Sequence, residues 1–190
     1  GHNGLEEALE NIVNEVEYSV DSGCNIIIIS DRNINDLKAP IPVLLVCSYV
    51  HQSMIRRNKR SKFGIIIESA EPREPHHFSM LFGYGASAIN PYLVNEVISY
   101  HHSEGKFGKN TIEKSILNYN KAIANGVLKI MNKIGISTLN SYRGSQIFEA
   151  LGLRSKFVDK YFKNTPTRIE GIGLYIVEKE ISDRFNFAFS

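Results

Sequence analysis

Apolar positions along the first twenty residues recur at helical spacing. Leu5, Ala8, Leu9, Ile12, Val13, Val16 and Val20 share one face, and Gly23 stands where such a helix stops. The pattern then changes to an unbroken run, Asn25-Ile26-Ile27-Ile28-Ile29-Ser30, which does not alternate. It predicts a strand buried on both faces, as in a parallel sheet. Residues 33–41 read as a loop, and Pro40 and Pro42 open a second helix reaching about Asn58. Phe63-Gly64-Ile65-Ile66-Ile67 is a second apolar strand ending in Glu68-Ser69-Ala70-Glu71. A helix follows Pro75, and Ala86-Ser87-Ala88-Ile89 forms a short third strand ending at Asn90-Pro91-Tyr92.

Further along, Leu93 to about Tyr100 is helical and residues 101–110 form an exposed polar loop. The longest helix runs from Thr111 to Ile134, with Ile112, Ile116, Tyr119, Ile123, Val127, Ile130 and Met131 on one side. A weak strand at Ile136–Leu139, a short helix at Ser145–Leu151 and a turn or two at Phe157–Phe162 follow. In the tail, Tyr175, Val177 and Ile181 begin helically, then Phe185, Phe187 and Phe189 repeat with period two. Strand and helix alternate at least four times, so the fold class is α/β with a mainly parallel sheet, either half a (β/α)₈ barrel or a small open sheet.

Composition adds boundaries rather than detail. A chain of 190 residues with 43% hydrophobic and 22% charged residues supports one folded domain and excludes wholesale disorder. No apolar run approaches the roughly 18–20 residues a bilayer span needs, so no membrane is expected. A net charge of +2 does not favour nucleic acid as a partner. The basic run Arg56, Arg57, Lys59, Arg60 and Lys62 reads as a solvated helix end. Cys24 and Cys47 lie in apolar stretches without metal-ligand spacing and read as buried thiols of a reducing compartment. No signal peptide precedes the first helix, and Gly1-His2 looks like a tag remnant.

Ligands of parallel α/β sheets bind at the carboxyl ends of the strands. Those ends are polar: Ser30-Asp31-Arg32, Glu68-Ser69-Ala70-Glu71, Asn90-Pro91 and Ser141-Tyr142-Arg143. Glu68 and Glu71 are of the type that serves as acid or base when burial raises a pKa, and Arg32, Arg73 and Arg143 suit a carboxylate or phosphate. Without a nucleophile or metal signature, a network pinning loops to the rim is the favoured reading. Glu74 and His77 make a single Glu-x-x-His, where a di-metal site needs two, and the adjacent His76 and His77 point about 100° apart on a helix, so no metal is expected. Gly83-Tyr84-Gly85-Ala86-Ser87-Ala88 has the letters of a dinucleotide fingerprint, but it leaves a helix and enters a strand, the reverse of the required order. Tyr142-Arg143-Gly144-Ser145 reads as a strand-to-helix turn whose N–H groups suit a phosphate, though a simple cap by Ser145 is the commoner explanation.

Several long blocks together carry a resemblance. Gly64-Ile65-Ile66-Ile67-Glu68-Ser69-Ala70-Glu71, Arg73-Glu74, His76-His77-Phe78, Leu81-Phe82-Gly83-Tyr84-Gly85-Ala86 and Ala88-Ile89-Asn90-Pro91-Tyr92 come first. Lys129 to Thr138, Ser141-Tyr142-Arg143-Gly144, Gln146 to Ala150 and Thr165 to Gly173 follow in order. This arrangement resembles the central domain of glutamate synthase large subunits over about Leu5–Gly173. The resemblance implies an incomplete, FMN-linked-oxidoreductase-like TIM barrel. It implies a parent enzyme that makes two glutamates from glutamine, 2-oxoglutarate and reductant, using FMN and an iron–sulfur cluster.

From that resemblance, residues 3–173 are expected to be a central-domain fragment, and 174–190 a tail toward the FMN domain. The expected partners are the amidotransferase and FMN domains, plus a homodimer of the fragment through its exposed tail or sheet edge. The role is connection and part of an ammonia path, in the cytoplasm, or a plastid if the source is eukaryotic. No catalytic residue, cofactor or metal is expected in the chain itself: it has no cysteine at its first residue, and Cys24 and Cys47 are too few for a cluster. Asp31, Arg32, Glu68, Glu71, Arg73, His76, His77, Asn90 and Arg143 are rim or tunnel candidates. Glu68, Arg73, His77, Asn90 and Arg143 are expected at one face of the sheet. Two alternatives stand beside this reading, a minimal FMN-binding barrel and a stand-alone small-anion-binding module.

Overall fold

A computed structural model describes residues 4–190, so Gly1 and His2, and with them the expectation of a tag remnant, lie outside the described residues. Helix α1 (Gly4–Asp21) buries Leu5, Leu9, Val13, Val16 and Val20, the positions its periodicity singles out. It ends as expected at Gly23, whose φ of 97° lets the Cys24 N–H reach back to the Ser19 carbonyl at 3.0 Å. Strands β1 (Ile26–Ser30), β2 (Gly64–Glu68) and β3 (Ala88–Asn90) form a parallel sheet in sequence order, with α2 (Val43–Arg56) and α3 (Pro75–Gly83) as the crossovers. Ile27 and Ile29 pair with Ile65 and Ile67, which are fully buried beneath α1 and α2.

The isoleucine run is not buried on both faces. Ile26 and Ile28 are 57% and 61% exposed, because β1 is an edge strand whose second face is uncovered. Helix α4 (Tyr92–Ser103) extends through His101 and His102, so the loop expected from residue 101 begins only after it. Helix α5 (Ile112–Lys133) is the longest; Thr111 caps it by accepting the Lys114 N–H at 3.2 Å. Ile123, Val127 and Met131 of α5 form a second small core with Phe78 and Tyr142.

The C-terminal third departs from the expected elements. The weak strand at 136–139 is absent: the Thr138 hydroxyl instead caps a single helical turn, α6 (Leu139–Tyr142). The short helix expected at 145–151 is absent too. The chain is irregular there until β4 (Ala150–Leu153), which pairs in parallel with β5 (Thr167–Ile172) as a separate two-stranded sheet. Between them lies α7 (Ser155–Tyr161), the turn expected near 157–162. The tail is helical throughout as α8 (Leu174–Phe189), packing Leu174, Val177 and Ile181 on the main core. Phe185 and Phe189, four apart, meet with tilted rings at 5.0 Å between centroids, while Phe187 between them is 86% exposed. A period of two in the letters is therefore a helical i, i+4 pair plus one outlier. Cys47 is buried as expected, but Cys24 is exposed, because it follows the α1 stop outside the core. Among the described residues, no helix is long and apolar enough to cross a membrane.

Candidate functional site

The parallel register aligns the carboxyl ends of the three strands, placing Ser30, Glu68 and Asn90 side by side. Glu68 is the hub. It accepts from Ser30 Oγ at 2.7 Å, Asn90 Nδ2 at 3.2 Å and Arg32 Nε at 3.2 Å. Arg32 reaches on to Glu96 of α4 at 3.3 Å, and its guanidinium lies 4.3 Å from the Tyr92 ring centroid. The Ser30 hydroxyl, then Arg32 and Asn90, hold the Glu68 carboxyl below the usual carboxylate range.

Asp31 works in a neighbouring set. It accepts from Ser69 Oγ at 2.5 Å and from the Ala70 N–H at 3.2 Å. Burial, then the bond to Asp31, pushes the Tyr92 phenol up to about 12. Glu71 binds the Val43 N–H with both oxygens at 3.2 Å, supplying the first turn of α2 with an acceptor. Its carboxyl is raised above the usual value, chiefly by burial. A cavity of about 240 Å³ opens beside Asp31, between Ile29, Lys38, Ile41 and Val46.

All the rim candidates except Arg143 thus lie on the strand ends and the segments that follow them, with unequal roles. Arg73 and His77 join only locally: His77 Nδ1 accepts the Arg73 N–H at 3.2 Å, and His77 Nε2 lies 3.4 Å from Glu74. The Arg73 carbonyl accepts from Tyr119 of α5 at 3.0 Å, and neither side chain touches Glu68. His76 is exposed and turns its ring edge toward Phe148. Arg143 does not belong to this face. It follows α6 rather than a strand, and Gly144 bonds the carbonyl of Gly83, the turn that feeds into β3 from its amino end. Its guanidinium bonds Asn140 at 3.1 Å. Chemically the rim cluster is saturated: every carboxylate named has donors, and the Ser30 and Ser69 hydroxyls are bonded to carboxylates rather than to a histidine or lysine base. Its geometry suits positioning of loops.

The amino end of the sheet holds residues the sequence did not point to. Arg60, which by sequence belongs to the solvated basic run, is half-buried and donates from Nε to His51 Nδ1 at 2.8 Å. It donates further to the carbonyls of Phe63 and Gly85, each at 2.7 Å. Arg57 and Lys59 pair with Glu17, and Lys59 also with Asp21, so the run clamps α2 onto α1. His51 is 9% exposed, and burial, then Arg60 and Arg143, push its imidazole down to about 4. Among the described residues, no group of three or more His, Cys, Asp or Glu side chains is placed to hold a metal ion.

Comparison with known proteins gives consistent matches. The family model of the glutamate synthase central domain matches residues 1–154. The chain is 42% identical over 185 residues to the glutamate synthase [NADPH] large chain of Bacillus subtilis (strain 168), covering 97% of this chain and 12% of that protein. It is 38% identical over 190 residues to the Azospirillum brasilense large chain, covering 100% of this chain and 12% of that one. The ferredoxin-dependent glutamate synthase of Pyropia yezoensis is 35% identical over 201 residues, with coverage of 100% and 13%. Among solved structures, a double-mutant flavocytochrome b2 with pyruvate bound is similar in fold at a TM-score of 0.51 and 15% identity. That likeness covers 70% of this chain and 31% of the other. The chain spans only 12–13% of the length of these glutamate synthases.

Proposed function

This chain belongs to the glutamate synthase central-domain family, and we propose that it is the connecting domain of a glutamate synthase large subunit. In the whole protein it would join an amidotransferase domain to an FMN-bearing domain and line part of the path that ammonia takes between them. The whole enzyme would convert glutamine, 2-oxoglutarate and reductant into two glutamates in the cytoplasm, or in a plastid where the source has one. The observation that carries this reading is the family match over most of a chain that makes up about an eighth of each relative.

We read the fold as a rudimentary TIM barrel of the FMN-linked oxidoreductase type. The three parallel strands with helical crossovers and the likeness to flavocytochrome b2 support it. Residues 3–173 would be the body of the domain and α8 the way out toward the FMN domain. The chain itself would carry neither flavin nor cluster. At the rim, Arg32 is already paired with Glu68 and Glu96, and the Asp31, Glu68 and Glu71 carboxylates take up the donors at the strand ends, which disfavours a flavin phosphate. Cys47 is fully buried with its Sγ near the Leu81 and Tyr84 carbonyls, and Cys24 is the only other cysteine, so cluster ligation is disfavoured as well.

A reconstitution tests the role. The chain is mixed with separately produced amidotransferase and FMN domains of the same large subunit, and glutamate formed and ammonia released are both measured. The expected result is binding to both domains and less ammonia escape per glutamate. Absence of binding would remove the connector role, and stoichiometric flavin absorbance in the purified chain would move the reading to a minimal FMN barrel.

A further inference from the structure

At the amino end of the sheet, opposite the rim, a cavity of about 210 Å³ is lined by His51, Gln52, Lys163 and Asn164, with Tyr84 and Phe148 as its aromatic wall. Two glycines allow this enclosure. A Cβ on Gly83 would lie 2.7 Å from the Phe148 ring, and one on Gly85 2.4 Å from His51 Nδ1. Two of the lining residues, Gln146 and Asn164, hold positive φ of 57° and 66°, a conformation that asparagine tolerates and that strains glutamine.

The charge around this cavity is one-sided. Arg60 backs it through His51, Arg143 precedes the lining residue Gly144, and Lys163 lines it directly. Among the described residues no Asp or Glu lines the cavity, and no ion pair engages Arg60, Arg143 or Lys163. Arg60 is lowered by burial and then by Arg143, so the two guanidiniums repel one another without a counter-charge between them. The Nε atom of Arg143 is buried without a hydrogen-bond partner and lies outside the cavity's lining, so it adds positive potential there rather than a bond. Positive charge without a carboxylate in the cavity wall favours an anion in the cavity.

The donors are also set in orientation. Arg60 can only donate, so His51 Nδ1 is an acceptor and the neutral ring carries its proton on Nε2, its free nitrogen. We propose that this cavity is a binding site for a compact dianionic oxyanion, held by the His51 Nε2–H, the Gln52 and Asn164 amides and the Lys163 ammonium. At the ~30 Å³ that each liquid water occupies, the cavity has room for about seven waters. Inorganic phosphate or a four-carbon dicarboxylate fits that volume. The site is separate from the rim and does not depend on the connecting role.

The test is a titration of the full chain with phosphate and, separately, with succinate at constant ionic strength, read by backbone amide NMR. Saturable shifts confined to residues 51–52, 83–84, 144–148 and 163–165 are expected for at least one ligand. Tighter phosphate assigns the site to phosphate groups, and tighter succinate to dicarboxylates. Lys163→Gln, at an exposed position, is expected to weaken binding about tenfold, the scale of one charge-assisted bond, and Gln52→Ala to weaken it less. Shifts that rise linearly, or that spread to Arg56 and Lys62 as general screening would make them, overturn the proposal. So does an unchanged affinity in both variants.

Discussion

Acidification should weaken this protein through His51 before it does so through its carboxylates. In the folded chain the ring is 9% exposed and its Nδ1 accepts a 2.8 Å bond from Arg60. Protonation would break that bond and add a third positive charge beside Arg60 and Arg143. The folded pKa is therefore about 4, against 6.5 for a free histidine. Between these values the unfolded chain binds more protons, so stability is full above pH 6.5 and declines as pH falls toward 4. The loss is about 3 kcal/mol from pH 7 to pH 4, with about 2 kcal/mol of it gone by pH 5. Glu71 works the other way, since a raised carboxyl stabilises at low pH, and the lowered Glu17 and Glu68 act only in the carboxylate range. All three are common to wild type and His51→Asn, whose amide oxygen can still accept from Arg60. Urea unfolding of both proteins at pH 7, 5 and 4 isolates the histidine by difference. A difference that stays flat within about 0.5 kcal/mol would refute the argument, as would an NMR titration of His51 near 6.5.

Three other outcomes follow from the same structure. Gly85→Ala combines a φ of 120° with a Cβ 2.4 Å from His51 Nδ1, so it should cost more than about 2 kcal/mol in urea unfolding. A wild-type midpoint would mean that His51 does not lie against this turn. Arg143→Ala, which would cost ~1–3 kcal/mol if Arg143 anchored the rim network, should cost under about 1 kcal/mol, because its one bonded partner is the exposed Asn140. The chain should self-associate through the open β1 edge, where Ile26 and Ile28 are uncovered and neither proline nor lysine interrupts the strand. Light scattering at several concentrations checks this: Ile28→Lys should lower the mass, and a constant 21.4 kDa in the wild type would remove the idea.

Legibility in the sequence followed the range of the interactions. Helices α1, α2, α3 and α5 and strands β1 to β3 show in the letters, because burial repeats along each segment with its own period. The rim was legible for a related reason. Parallel register brings successive strand ends together, so Ser30, Glu68 and Asn90 had to meet once the strands were placed. The open face of β1 was not legible. Four isoleucines look the same whether a second layer covers them or not, and exposure depends on what lies beyond the edge. Nor was the amino-end cluster. Arg60 stands in a run of basic residues ending a helix, the usual mark of a solvated terminus. Only the turn at Arg60–Lys62 directs its guanidinium inward, toward carbonyls 3 and 25 residues away. Arg143 differs in the opposite sense: a polar residue after an apolar stretch reads as a strand end. Thr138 capped a helical turn there instead, and the same side chain was carried to the far end of the sheet. Both errors share a cause. A charged residue's partner is fixed by the direction of the chain on either side, and one hydroxyl cap is enough to reverse that direction while leaving hydrophobic periodicity unchanged.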